Sequence, residues 1–315
     1  MINETVLPSG ANHDSLDHPR VSVIILNYNT RDDLRTCLRS VQQSQPRISP
    51  RIAEVFVVDN ASSDGSADMV AKEFPWVQLI RAERNGGYAY GNNLAMRACH
   101  GEYILLLNPD ALVPSNAISR LCDELDAHPD AAVVGPRVVR PDGSLDLACR
   151  RSFPTLEVSS YRILGLSKLF PRSRRFGRYN LTYLDPGEPA EVDSVVGACM
   201  LVRRSAIEQA GLLDEQFFMY GEDLDWAFRI KQRGWSIRYS PAITVLHRKG
   251  ESSRRRSDVA TVAFYEAMEI FYRKHYAREH SSLVNFLVQS AIKLRCSISM
   301  VQNALRPENE RRVGT

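Results

Sequence analysis

The sequence predicts an α/β fold: a mostly parallel central sheet flanked by helices, followed by a helical C-terminal extension. Three observations predict it. The run "VSVIILNYN" (21–29) is near-continuously apolar and carries Val and Ile, as suits a strand buried on both faces. Strand-like runs also open "EVFVVDNASSDGS" (54–66), "WVQLIRAERNGGYAYGNNLAMRAC" (76–99) and "EYILLLNPDALVPS" (102–115). Each gives way to a polar loop, and the intervening segments carry apolar residues at helical spacing. Strands alternating with helices over short links build a parallel sheet covered on both sides.

Taken in order, residues 1–19 are polar and read as a flexible lead. They lack the apolar core of a secretory signal. After the first strand, Thr30 suits a helix cap, Asp32 and Asp33 suit the first turn, and Leu34, Cys37, Leu38 and Val41 form an apolar stripe. "ADMVAKEF" (67–74) continues as helix after the second strand, and "RNGGYAYGNN" (84–93) is a Gly-rich loop opening a third helix. "AAVVGPRVVRPDGSLD" (131–146) reads as strand, turn, strand, and residues 150–192 as a long loop region with some helix. Residues 193–211 read as strand then short helix. From Gly221 to Gly234 the pattern is helical: Leu224, Ala227 and Phe228 share a face, and Gly234 suits the stop. A strand over 236–247, a basic loop over 248–258 and helix from Val259 complete the chain, with a tail from Pro307. The expected organisation is one catalytic unit over 20–250, with a nucleotide-binding half (20–130) and an acceptor-binding half (131–250), then the extension over 251–315.

Composition narrows the function. With 315 residues, 44% hydrophobic and 24% charged, the chain can bury a large core. A net charge of +3 does not imply nucleic acid as a partner. The six cysteines show no CxxC or paired spacing and read as small buried hydrophobes in a reducing compartment. No apolar run reaches the roughly 18–20 residues of a membrane span, so the catalytic body is expected in the cytoplasm. Within 281–305, Leu283, Phe286, Leu287, Ser290, Ala291 and Leu294 form one stripe with Lys293 and Arg295 nearby. Such a helix suits a membrane interface on the inner face of the cell membrane, and equally a helix packed on the core.

In open α/β sheets ligands bind beyond the carboxyl ends of the strands. Asn27–Asn29, Asp59–Asn60, Arg84–Gly87 and Asn108–Asp110 all fall there and should converge on one crevice. Asp59 can accept from a base N–H or a ribose hydroxyl, or can simply start a turn. Arg84 can meet phosphate, and the glycines beside it let backbone approach a ligand closely or serve a plain strand–helix turn. Asn108-Pro109-Asp110 offers one carboxylate to a hard divalent cation, with substrate phosphates supplying further oxygens. In "FFMYGEDLDWAFRIKQRGW" (217–235), acids crowd the first helical turn, where the macrodipole favours them. The aromatic residues just ahead should wall a cavity, so a carboxylate at that edge is placed as a general base would be. His247 ends a strand, where it is either a ligand or a bystander.

Together these pieces resemble the inverting glycosyltransferases of family 2, which have the Rossmann-like GT-A fold. "VSVIILNYN", "VVDNASSDGS", "RNGGYAYGNN", "LLLNPD", "VVGACMLVRRSAI" and "FFMYGEDLDWAFRIKQRGW" stand in the family's order over about residues 20–250. Within the family the chain looks most like bacterial rhamnosyltransferases, and related galactofuranosyl- and mannosyl-type enzymes, of cell-envelope polysaccharide assembly. The resemblance implies that Asp223 is the base, that Asp59 contacts the nucleotide base, and that Asp110 binds a metal ion. His247, 24 positions after Asp223, is similar to the family's metal-ligand histidine. The ion would be Mg²⁺ or Mn²⁺, the imidazole favouring Mn²⁺. Asn108 departs from the first aspartate of the usual DxD. The nucleotide sugar is expected against Asn27, Asn29, Asp59, Arg84, Asn85, Gly86 and Asn108, and the acceptor against Tyr220, Glu222 and Trp226. The donor implied is dTDP-rhamnose, or alternatively a UDP- or GDP-hexose, and the acceptor a glycan or polyprenyl-diphosphate-linked sugar. The rival readings are a nucleotide-binding module, which the missing GxGxxG disfavours, and a catalytically idle scaffold.

Overall fold

The computed structural model describes residues 20–44, 53–248, 257–306 and 313. The expected 1–19 lead and the basic loop with Arg254, Arg255 and Arg256 lie outside these residues. The strands are β1 (Val21–Asn27), β2 (Ala53–Asp59), β3 (Gln78–Arg81), β4 (Tyr103–Leu107), β5 (Ala111–Leu112), β6 (Ala131–Val139), β7 (Ala190–Glu191), β8 (Cys199–Arg203) and β9 (Ser236–His247). The helices are α1 (Arg31–Ser44), α2 (Ser66–Glu73), α3 (Gly87–Ala98), α4 (Ala117–Ala127), α5 (Leu156–Ile163), α6 (Leu166–Leu169), α7 (Arg204–Ala210), α8 (Glu222–Gln232), α9 (Ser257–His275) and α10 (Ser282–Leu305).

The strands form a single sheet in the order β3-β2-β1-β4-β8-β6-β9-β5, with β7 paired to β9. β1 to β4 are parallel; β8 runs antiparallel between β4 and β6, and β6 pairs parallel with β9. The sheet therefore continues past residue 130, and both halves of the chain share it. Alternation along each strand divides the core in two. Val21, Val23 and Ile25 face Leu34, Leu38, Val70 and Leu121 on one side. Ile24, Phe56 and Val58 face Ala89, Met96, Trp226 and Ile230 on the other. A third, smaller core joins Phe217 and Leu224 to Phe271 and Tyr272 of α9 and to Tyr276 just after it.

Two segments differ from the sequence reading. After β6 no second strand forms: a lone bridge joins Val139 to Leu145, and Asp146 then takes the backbone N–H of Ala148 to start a short 3-10 turn. A local side-chain acceptor competes here with the ladder. The 150–192 region is long loop with some helix as read, Thr155 capping α5 by accepting from Val158 N at 3.3 Å, but it also supplies the strand β7, which the reading did not include. All six thiols are free, and five of them are buried.

Candidate active site

The base assigned by sequence stands where α8 begins. Tyr220 and Gly221 both adopt positive φ (69° and 80°), which turns the chain sharply into the helix. A non-glycine residue held there costs of the order of 1 kcal/mol and must be held by its surroundings; Tyr220 packs against Phe264 of α9. Gly221 offers no capping side chain. The acids next to it take over part of that task, with Asp223 Oδ1 accepting from Leu224 N at 2.8 Å.

Asp223 Oδ2 accepts from Arg151 Nη2 at 2.7 Å and from Gly197 N at 3.1 Å. Arg151 is itself buried and also donates to Val195 O. Burial opposes its charge, and the Asp223 carboxylate beside it more than compensates, so its pKa is raised. Glu222 is buried as well, and its Oε2 has no hydrogen-bond partner. Burial, with the charge of Asp223 adding to it, pushes the Glu222 carboxyl well above the usual carboxylate range. Tyr88 closes the group from the other half of the chain by donating to Gly197 O at 2.8 Å. A Cβ on Gly197 would stand 3.0 Å from that hydroxyl, so the glycine lets Tyr88 and Asp223 approach from two sides.

The second cluster is built by strand register. β5 pairs with β9 so that Ala111 lies opposite His247. Asp110 is thereby set beside the imidazole, with Oδ1 3.0 Å from Nε2. Asn108 Nδ2 is 3.4 Å from the same nitrogen. Asp146 lies 3.9 Å from Nδ1, which has no hydrogen-bond partner. Burial alone would lower the imidazole pKa; the bond to Asp110, and then Asp146, outweighs it and lifts the value to about 9. The two clusters meet across consecutive residues. Gly197 N holds Asp223, while Ala198 O accepts from Asn108 N at 2.9 Å. Neighbouring Cα atoms are about 3.8 Å apart, so the acid and the Asp110–His247 pair flank one short span of backbone.

On the expected nucleotide side, Asn27 Nδ2 donates to Asp59 Oδ1 and to Ser62 Oγ, both at 3.1 Å. Asp59 Oδ2 accepts from Ser62 N, and Asn29, at φ 55°, accepts from Ser63 N. These three residues join the loops after β1 and β2 into one unit. Asn85 accepts from Asn60, and Arg84 lies exposed over the Tyr90 ring. The glycines here serve packing within the protein. A Cβ on Gly86 would strike the Tyr90 ring, and one on Gly87 would strike the Phe218 carbonyl, each at 2.2 Å.

Two expectations about α8 are corrected. Trp226 does not face an acceptor: it is fully buried in the main core and its indole donates to Gly211 O at 2.8 Å. Asp225 is more than a first-turn charge. It is fully buried and meets Arg229 at 2.8 Å, Lys274 at 2.7 Å and His275 at 2.8 Å. The aromatic stretch before α8 divides, with Phe217 in the third core and Phe218 at an open groove beside Val259, Val262, Ala263 and Met300. Sequence reading missed Arg151 and Tyr88. Arg151 lies in an Arg-rich segment with no motif, and Tyr88 sits among glycines that drew the attention.

An acid–arginine pair at the start of α8 and a carboxylate–imidazole pair at the ends of β4 and β9 thus flank one stretch of the sheet, and likeness to known proteins identifies the class as a glycosyltransferase of GT-A architecture. The chain belongs to glycosyl transferase family 2, the sequence profile of which matches residues 22–211. It is 28% identical over 302 residues to the N-acetylglucosaminyl-diphospho-decaprenol L-rhamnosyltransferase of Mycobacterium tuberculosis, covering 92% of this chain and 96% of that one. It is 28% identical over 231 residues to a low-salt glycan biosynthesis hexosyltransferase of Haloferax volcanii, covering 72% and 66%. Among solved structures, a mannosyltransferase of Pyrobaculum calidifontis in complex with GDP-Man and Mn²⁺ superposes with a TM-score of 0.55 at 16% identity, covering 90% and 87% of the two chains. S. aureus TarS (1–349) gives 0.55 at 16% identity, covering 89% and 72%. At that identity these likenesses speak for the fold.

Proposed function

We propose that the enzyme transfers L-rhamnose from dTDP-rhamnose to a hydroxyl of a polyprenyl-diphosphate-linked N-acetylglucosaminyl acceptor, inverting the anomeric centre. One observation carries the reading: Asp223 is held by Arg151 and Gly197 one residue away from the backbone link to Asn108. The activity of the mycobacterial relative, which matches over nearly its whole length, supports L-rhamnose as the sugar and a lipid-linked N-acetylglucosaminyl acceptor.

Asp223 accepts the proton of the acceptor hydroxyl as that oxygen attacks. Arg151 and Gly197 N fix Oδ2, so Oδ1, which takes one backbone N–H, is the oxygen left to face substrate. Glu222 is held neutral by its surroundings, and as a protonated carboxyl it donates to the acceptor rather than competing for the proton. Tyr220 borders the same acceptor side. Asn27, Asn29 and Asp59 shape the wall for the nucleotide, with Asn85 and Gly86 beside them and Arg84 at the rim for phosphate.

Asp110 and His247 fit a divalent cation. Two adjacent ligands of a six-coordinate ion with bonds of about 2.1 Å stand about 3 Å apart, and Oδ1 and Nε2 are 3.0 Å apart. Asp146 behind Nδ1 would orient the ring. Among the described residues no three His, Cys, Asp or Glu side chains are grouped to hold a metal ion, so donor phosphate oxygens would complete the shell. When bound, such an ion neutralises the charge of the departing diphosphate.

No described helix is long and apolar enough to cross a membrane. The outer face of α10 nevertheless leaves Leu283, Phe286, Leu287 and Leu294 exposed, while Ile292, Ser299 and Asn303 are buried on its inner face. We read the outer face as an interfacial contact near the lipid-linked acceptor. The experiment that tests the function is transfer from a panel of dTDP-, UDP- and GDP-sugars to N-acetylglucosaminyl-diphospho-polyprenol. Transfer from dTDP-rhamnose alone supports the reading, and preference for another donor overturns it.

A further inference from the structure

A second exposed apolar surface lies far from α10 in sequence. Around the turn between α5 and α6, Ile163, Leu164, Leu169 and Phe170 all face solvent, Leu164 at 71% and Leu169 at 68% exposure. Gly165, at φ 74°, makes the turn, and a Cβ built on it meets nothing within 4 Å, so the turn projects as a tip. The tip is nonetheless organised from behind. Phe176 packs edge-on against Tyr161 at 4.9 Å and against Phe170 at 5.6 Å, and Arg162 covers the Tyr179 ring.

The charges around the tip are one-sided. Between residues 156 and 178 stand Arg162, Lys168, Arg172, Arg174, Arg175 and Arg178, all exposed, and a single carboxylate, Glu157. Glu157 is engaged by Tyr161 and by Arg175 at 3.3 Å. An ordered apolar tip ringed by long basic side chains matches a lipid–water interface carrying negative charge. The apolar groups enter the acyl boundary, and the basic stems lie along it with their heads at the phosphates. We propose that the α5–α6 tip docks on an anionic lipid surface.

The tip springs from the acceptor side of the site. Arg151, which holds Asp223, is four residues before the α5 cap Thr155, and Phe153 between them packs on Phe228 of α8 at 4.9 Å. Leu156 of α5 and Val288 of α10 pack against the same third core. Both exposed apolar surfaces are thus anchored to the unit that carries the base. Its use in presenting a lipid-linked acceptor rests on the proposed function; the docking itself does not.

The test is co-sedimentation of the full chain with vesicles of phosphatidylglycerol and phosphatidylcholine in equal parts, and with pure phosphatidylcholine, without donor or acceptor. Wild type should bind the mixed vesicles, lose binding as salt rises, and bind pure phosphatidylcholine far less. A Leu164→Asp/Leu169→Asp variant and an Arg172→Gln/Arg174→Gln variant should each lose about tenfold or more in vesicle affinity. Both should keep the wild-type circular dichroism spectrum and transfer to a water-soluble acceptor. A Leu287→Asp/Leu294→Asp variant separates the α10 surface. The proposal is overturned if wild type binds neither vesicle, if it binds both equally, or if only the α10 variant loses binding. Capture of an acidic protein by the tip with no vesicle binding overturns it too. Vesicle binding by an enzyme that transfers no rhamnose would leave this inference standing and sink the functional reading.

Discussion

Replacing Asp225 by Asn removes one charge and almost no volume. The sequence alone assigns that charge the value of a helix-dipole contact, roughly 0.3–1 kcal/mol. The structure assigns it more. Asp225 is fully buried among Arg229, Lys274 and His275. Burial opposes its charge, but His275 first, then Arg229 and Lys274, bring its pKa from the ordinary 3.8 down to about 2. That lowering corresponds to about 2–3 kcal/mol in favour of the folded, charged state. Breaking a buried ion pair from one side typically costs about 3–5 kcal/mol. We therefore expect Asp225→Asn to lose about 3 kcal/mol, or about 5 °C in Tm for a chain of this length. The sign with pH follows from a depressed acid. The contribution is whole above the unfolded value near 3.9 and disappears as pH falls through about 2. Urea unfolding of both proteins from pH 7 downward should show a gap that closes below about pH 4. A loss under about 1 kcal/mol at neutral pH, the helix-dipole range, would refute the argument that this carboxylate ties α8 to α9.

Other expectations follow from the same geometry. Asp223→Asn should slow transfer by at least ~100-fold, the lower end for a lost general base, with donor affinity by calorimetry nearly unchanged. Arg151→Gln should lose most activity and Arg151→Lys recover part of it, which a purely structural arginine would not show, because the lysine restores charge without the guanidinium plane whose Nη2 reaches both Asp223 and Val195. Asp110→Ala and His247→Ala should each weaken the dependence of rate on Mn²⁺ or Mg²⁺, and full activity in excess chelator would count against a metal. Glu222 has a raised carboxyl pKa, so its favourable contribution is whole below the unfolded value near 4.3 and is lost as pH rises through the folded one. Glu222→Gln should flatten that loss in unfolding measured from pH 5 to 9.

Much of the fold was legible because its signals are local. Buried parallel strands need apolar runs, and strands lie within "VSVIILNYN" and "EYILLLNPDALVPS", the first ending at Asn27, two residues before the run does, and the second spanning Tyr103–Leu107. The pairing of Asp110 with His247 was less visible, since it depends on Ala111 lying opposite His247 across chain segments far apart in sequence. Trp226 misled for a physical reason: an indole beside an acid cluster reads the same whether its N–H meets a substrate or the Gly211 carbonyl. At Gly86 and Gly87 the sequence reads the same for a ligand and for a tight turn, because a close approach by Tyr90 or Phe218 demands a missing Cβ as strictly as a ligand would. Arg151 could not be read at all. An arginine shows its role only through what it touches, and Asp223 lies 72 positions away.

The acid cluster beside apolar residues is then explained by three different environments on one turn of helix. Asp225 faces inward and is neutralised by cations from α8 and α9, so its charge is structural. Asp223 lies two positions earlier, where Arg151 and the backbone N–H groups of Gly197 and Leu224 meet its two oxygens. Glu222 has no cation of its own, and the charge of Asp223 beside it favours its neutral form. A like-charged triplet would repel itself if all three were ionised in water's absence. Raising Glu222 while lowering Asp225 relieves that repulsion. Burial raises Glu222, whereas Asp225 is held low against burial by His275, Arg229 and Lys274. The same reasoning predicts that the double variant Glu222→Gln/Asp223→Asn will be no slower than Asp223→Asn alone by more than the loss of one acceptor hydrogen bond. A much larger additional loss in transfer rate would mean that Glu222 itself carries the proton.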